Sequence, residues 1–105
     1  IDFTDLLAGP DCEIEEFRLS GDPLLMRQIS GHSLQELDLA RRTGAMVLAI
    51  RDNNTLLANP NGEVTLAPGQ MLVVMGSKQQ LHALRGILGD AIDAVETMRG
   101  MQPNE

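Results

Sequence analysis

An arginine and an asparagine flank a polar turn: Ile50-Arg51-Asp52-Asn53-Asn54 leads through Thr55-Leu56-Leu57-Ala58 to Asn59-Pro60. A guanidinium is a planar, permanently charged fork suited to phosphate or carboxylate, and an amide both donates and accepts toward a base edge or a backbone. An apolar run that emits an Arg beside such a turn, with Asn-Pro on the return, is therefore a candidate site for a small anionic ligand. The same residues also read as a salt-bridged strand end followed by an ordinary turn.

Other chemistry finds little support. His32 and His82 stand 50 residues apart with no Ser or Cys motif beside them, and Ser33 and Ser77 are placed to cap helices. General acid and base work by carboxylates needs one of them buried, and most of the acids fall on exposed phases. The chain is accordingly read as not an enzyme. The 10 Gly are scattered singly, so no phosphate-cradling loop is present. Asp2, Asp5, Asp11, Glu13, Glu15 and Glu16 precede the first base, Arg18. Such acids suit a hard cation such as calcium, yet no Asp-x-Asp-x-Asp-Gly loop occurs and no metal ligand is assigned. Cys12 is alone, which excludes an intrachain disulfide or a Cys-pair zinc site and fits a reducing compartment.

The elements that must position Arg51 and Asn59 belong to one compact domain, given 105 residues of which 43% are apolar and 22% charged. With only two Phe, the core must be aliphatic. A net charge of −7 without a basic stripe argues against nucleic acid as a partner. No run approaches the roughly 18 apolar residues of a membrane span. Since the chain begins at Ile1-Asp2 without an initiator Met, it is read as a piece of a longer protein.

Phe3, Leu6 and Leu7 have helical spacing before Gly9-Pro10. Residues 13–19 approach the two-residue period of a strand, and Leu24-Leu25-Met26 reads as a short apolar anchor after a turn. Ser33 with Glu36 three residues on is a capping box, opening one short helix that ends before Gly44. Ala45 to Arg51 reads as a fully buried strand, Asp52-Asn53-Asn54 as a hairpin turn and Thr55 to Ala58 as the return strand. Val64-Thr65-Leu66 is extended, Pro68-Gly69 a turn, and Met71 to Met75 a last buried strand. Ser77 caps a helix carrying Leu81, Leu84, Ile87 and Leu88, which stops at Gly89. Asp90 then reads as a fresh N-cap for a terminal helix with Ala91, Ile92, Val95 and Met98, ending at Gly100. Met98 and Met101 on that helix form a candidate association surface. The sum is an α+β domain: a sheet of about four to five strands with a hairpin, backed by helices, with short helices at both ends.

Several of these segments together resemble one family. Ile14-Glu15-Glu16, Pro23-Leu24, Gly31-x-Ser33-Leu34-x-Glu36-Leu37, Arg42-x-Gly44, Val47-x-Ala49-Ile50-Arg51, Asn59-Pro60, Leu66-x-Pro68-Gly69 and Leu72-Val73-Val74-x-Gly76 resemble, in order and spacing, the C-terminal lobe of RCK domains, also called TrkA-C. Ile1-Asp2-Phe3-x-x-Leu6-Leu7 resembles the segment joining the Rossmann-like N-lobe to this lobe. The resemblance implies residues 1–12 as a linker helix, 13–88 as the regulatory domain and 89–105 as a C-terminal helix and tail. It further implies a cytoplasmic homodimer, open to assembly into a larger ring, that regulates a potassium channel or transporter through its N-lobe and a membrane pore. In some members the ligand is cyclic di-AMP, held by residues that fall on Ala45, Met46, Ile50, Arg51, Ala58 and Asn59, with Arg51 toward phosphate and Asn59 toward adenine or the backbone. Other members bind calcium, and a dimer without any ligand is the structural alternative. Gln70 stands where the family prefers Asp after Pro-Gly.

Overall fold

The computed structural model describes residues 12–93. The expected helix near residues 2–8, and Val95, Met98 and Met101, lie outside the described residues. Among the described residues, strands β1 (Glu13–Arg18), β2 (Met46–Asp52), β3 (Thr55–Ala58) and β4 (Met71–Gly76) form one sheet in the order β1-β4-β2-β3. Every neighbouring pair is antiparallel. Three helices, α1 (Leu34–Leu37), α2 (Leu39–Thr43) and α3 (Lys78–Leu88), accompany them. The class is α+β, as the sequence implies.

Alternation in β1 turns Glu15 and Phe17 inward and Ile14, Glu16 and Arg18 outward. Phe17 pairs with Leu72 of β4, which pairs in turn with Ile50 of β2, so one apolar row crosses three strands. Leu81, Leu84 and Leu88 of α3 are buried in the same core cluster, closed off by Leu19, Met26 and Leu66. Helix α3 begins where the sequence implies: Ser77 Oγ accepts from the Gln80 N–H at 3.0 Å and Gln80 Oε1 accepts from the Ser77 N–H at 2.9 Å, a reciprocal cap that satisfies two groups.

Four expectations need correcting. The helix capped by Ser33 is two helices, because Asp38 takes a left-handed backbone (φ 55) between α1 and α2; Asp tolerates that region where most side chains do not. Strand β2 is not fully buried: Ala49 and Ile50 are, whereas Met46 is 53% exposed. Both β3 leucines, Leu56 and Leu57, are exposed on the sheet edge. Of the anchor Leu24-Leu25-Met26, Met26 alone is buried, together with Ile29, because consecutive turns there direct only every third residue inward. No helix begins at Asp90. Gly89–Ala91 is a 3-10 turn, after which Ile92 is extended and bridges to Leu19. The Asp93 N–H donates to the Arg18 carbonyl at 2.9 Å and the Ser20 N–H to the Ala91 carbonyl at 2.7 Å. Backbone groups at the end of β1 thereby gain partners that a helix would not supply.

At the Pro68-Gly69 turn, Gln70 Oε1 accepts from the Ala67 N–H at 2.9 Å and Nε2 donates to Asp52 Oδ2 at 3.3 Å. The amide thus serves the turn and also ties it to the end of β2, which a carboxylate, having no donor, cannot do.

Candidate ligand site

A groove of about 480 Å³ opens between the two short helices and the start of β2, lined by Leu34, Gln35, Asp38, Leu39, Ala40, Ala45, Met46, Val47, Asn59, Pro60 and Gly62. Its helical wall is held by the loop it faces. The Leu34 N–H donates to the Val64 carbonyl and the Gln35 N–H to the Gly62 carbonyl, at 2.9 and 2.8 Å, so donors of the first turn of α1 are satisfied outside the helix. The capping box is complete, with Ser33 Oγ accepting from the Glu36 N–H and Glu36 accepting from the Ser33 N–H. That backbone hydrogen bond, reinforced by nearby His32, holds the Glu36 carboxyl below the ordinary glutamate range.

The opposite wall depends on an irregularity. Pairing of β2 with β4 slips between Val47 and Ala49, leaving Leu48 as an extra residue. The Leu48 carbonyl accepts from the Asn59 N–H at 2.7 Å, and Asn59 takes a left-handed backbone, φ 52. Asn59 is exposed, and its side chain has no hydrogen-bond partner among the described residues. Behind it, Ala45 is buried, with its N–H on Thr43 Oγ1 at 3.0 Å, while Thr43 Oγ1 donates to the Leu39 carbonyl at 2.7 Å.

Of the residues implied by the sequence, Ala45, Met46 and Asn59 meet in this groove. Ile50 belongs to the core, 3% exposed. Ala58 is exposed on the edge, opposite Ala49. Arg51 lies five residues beyond Met46 on the same strand, roughly 15 Å away at about 3.3 Å per residue. It is exposed, pairs across the sheet with Leu56 and Met71, and makes no ion pair or side-chain hydrogen bond among the described residues. The reading of Arg51 as a salt-bridged strand end is therefore not met there. Within one copy, three of the implied ligand residues meet in the groove and the other three lie apart from it. Sequence reasoning missed the helical wall, Leu34, Gln35 and Asp38; the capping box marked where it starts, but the left-handed break at Asp38 that turns the wall toward Met46 carries no periodic signal.

Arg51 belongs to the sheet face opposite the core cluster, where Ala49 and Met75 are buried and the residues around them are largely not. Ile14, Met46 and Leu56 on it are 43%, 53% and 51% exposed, with Val73 and Met71 partly exposed between them. Among the described residues no group of three or more His, Cys, Asp or Glu side chains is arranged to hold a metal ion, and no helix is long and apolar enough to cross a membrane.

The TrkA-C domain family model matches residues 26–89, more than half of the chain. The chain belongs to the TrkA-C family. The TrkA-C match begins after β1 and ends at the glycine that closes α3. This TrkA-C chain is 27% identical over 78 residues to "Probable potassium channel protein 2" of Methanocaldococcus jannaschii, spanning 74% of this chain and 22% of that relative's length. Its fold is similar to the RCK_C domain dimer of S. agalactiae BusR in complex with c-di-AMP, with TM-score 0.63, 21% identity and coverage of 76% of this chain and 93% of that one. It is also similar to the RCK C domain of the potassium transport protein KtrA in complex with c-di-AMP (TM-score 0.62, 22% identity, 77% and 86% coverage). The GsuK channel gives TM-score 0.65 at 27% identity over 81% of this chain and 14% of that one.

Proposed function

We propose that this TrkA-C domain is a non-catalytic, dimerising sensor on the cytoplasmic side of a potassium channel or transporter, and that it binds cyclic di-AMP between two copies. In this reading residues 1–12 link it to a Rossmann-like N-lobe, and the domain proper begins at residue 13. The observation that carries the reading is the division of the ligand residues: Ala45, Met46 and Asn59 share a groove, whereas Arg51 lies apart from it, exposed on the sheet face opposite the core. A second copy laid across that face supplies what one copy lacks, an arginine from one subunit approaching the groove of the other. The BusR and KtrA domains, both solved with c-di-AMP, support the choice of ligand.

The mechanism is a population shift. A ligand that contacts both copies favours the arrangement in which the groove and the guanidinium converge, and transmits only its difference in affinity between arrangements. Shifting a two-state dimer tenfold takes about 1.4 kcal/mol of that difference. A charge-assisted arginine–phosphate contact is worth about 1.5–3 kcal/mol.

Calorimetric titration with cyclic di-AMP tests this reading. Heat is expected with wild type, and Arg51→Ala should weaken binding about tenfold or more. No heat with wild type sinks the nucleotide reading, and a parallel calcium titration tests the ion alternative. Sedimentation at several concentrations should reveal a dimer; a monomer at the highest concentration counts against the scheme, and a dimer without heat leaves a structural dimerisation module.

A further inference from the structure

Among the described residues Arg27, Arg41, Arg42, Lys78 and Arg85 each have a partner: the Leu24 carbonyl, Asp38, the Leu37 carbonyl, Glu13 and Glu15. Arg18 and Arg51 have none. In a chain of net charge −7, two unpaired guanidiniums are conspicuous, and these two occupy the same row of the sheet. Arg18 of β1 and Arg51 of β2 both pair with Met71 of β4, one on each side. Phe17 and Ile50, the preceding residues, point into the core, so both arginines extend from the opposite face. Their Cα atoms are two strand spacings apart, roughly 10 Å, a gap that two extended arginine side chains close. Met71 and Val73 are partly exposed between and beside them, which gives the two exposed cations an apolar floor.

We propose that Arg18 and Arg51 form a two-guanidinium clasp for the phosphate groups of a ligand lying on this face. The clasp deepens the nucleotide reading and rests on it for the organic part of the ligand, while its affinity for phosphate oxygens rests on the arginines alone. Each fork presents paired N–H donors to a phosphate, and Met71 spaces the two forks so that they take either one group from both sides or two groups in one molecule. Glu16 lies one row along the same face, opposite Val73, and pairs with neither arginine. It sets a negative border on the site.

The test is titration of the 105-residue chain with cyclic di-AMP and, separately, with pyrophosphate, in wild type, Arg18→Ala, Arg51→Ala, Glu16→Gln and Arg27→Ala. Circular dichroism and thermal melts verify that each variant folds. Arg18→Ala should weaken both ligands about tenfold or more, Glu16→Gln should tighten them modestly, and Arg27→Ala should change neither. Arg18→Ala within twofold of wild type for both probes overturns the clasp. Cyclic di-AMP binding that ignores Arg18 overturns the clasp and leaves the nucleotide reading standing. Pyrophosphate binding that depends on Arg18, with no heat from cyclic di-AMP, does the reverse, and silence of wild type toward both probes overturns both.

Discussion

Successive residues of β1 belong to two different environments. Phe17 is fully buried beneath α3 while Arg18, the next residue, is exposed and unpaired; Glu15 is 5% exposed while Ile14 is 43% exposed. The covered face combines a continuous apolar cluster with two charged contacts between β1 and α3: Lys78 faces Glu13, and Arg85 bonds Glu15 through Nη2 and Oε1, with its Cζ 5.4 Å from the centre of the Phe17 ring. The opposite face is also rich in apolar residues, but Met46 and Leu56 on it are exposed and Val73 partly exposed, while Ala49 and Met75 are buried. Apolar residues stabilise the fold only where something removes them from water. The contrast therefore separates residues that hold the domain together from residues free to meet a ligand or a second copy.

The contrast breaks most clearly if its two faces respond alike to truncation. Phe17→Ala should cost about 3–5 kcal/mol in chemical denaturation, whereas Ile14→Ala on the outward phase should cost under about 1 kcal/mol in a dilute monomer. Equal costs would mean that both faces are covered. Arg85→Ala leaves Glu15 buried without its cation and should destabilise by about 1–3 kcal/mol, below the usual toll of a broken buried pair because the Arg85 side chain is 35% exposed. Glu15→Gln keeps the volume and should recover part of that loss. Gly44→Ala should cost about 1–2 kcal/mol by thermal melt. Gly44 has φ 84, and a Cβ there would sit 2.5 Å from Gln80 Nε2, disturbing the cap of α3 on the covered side. The smallest effect is electrostatic. Glu36 has its carboxyl pKa lowered by the Ser33 backbone hydrogen bond, so the support it gives α1 is full above the unfolded glutamate pKa and fades as pH falls through the lower folded one. An NMR titration should find its midpoint below that of glutamate in an unstructured peptide.

Local chemistry made much of this legible. Both capping boxes, the Asn53 turn (φ 57), the strand at residues 13–18 and the leucine face of α3 each follow from a side chain acting on its own backbone or from a clear period. Family membership was legible in the ordered sum of short segments. What escaped was decided by tertiary context. An unbroken apolar run from Ala45 to Ile50 has no period, so nothing in it distinguishes a strand buried on both faces from one half open. The extended course of Ile92 answers to a neighbour distant in sequence, Leu19, and the break at Asp38 follows a helix start that is tied to the loop at residues 62–64. For the candidate site, the residue types were readable and the separation of Arg51 from the groove was not, because that depends on how far it lies along the strand.

The extra residue at Leu48 acts as a parity switch. Before it the odd-numbered residues Ala45 and Val47 face the core; after it the even-numbered Ile50 does, and Met46, Ala49 and Arg51 are left together outside. In a regular strand the five steps from Met46 to Arg51 would put the two residues on opposite faces, and the slip at Leu48 returns them to one. The bulge thereby keeps the groove and the guanidinium on the same side of the molecule. Were the slip lost with every residue retained, all that follows it would change sides, and Arg51 would turn toward the covered face.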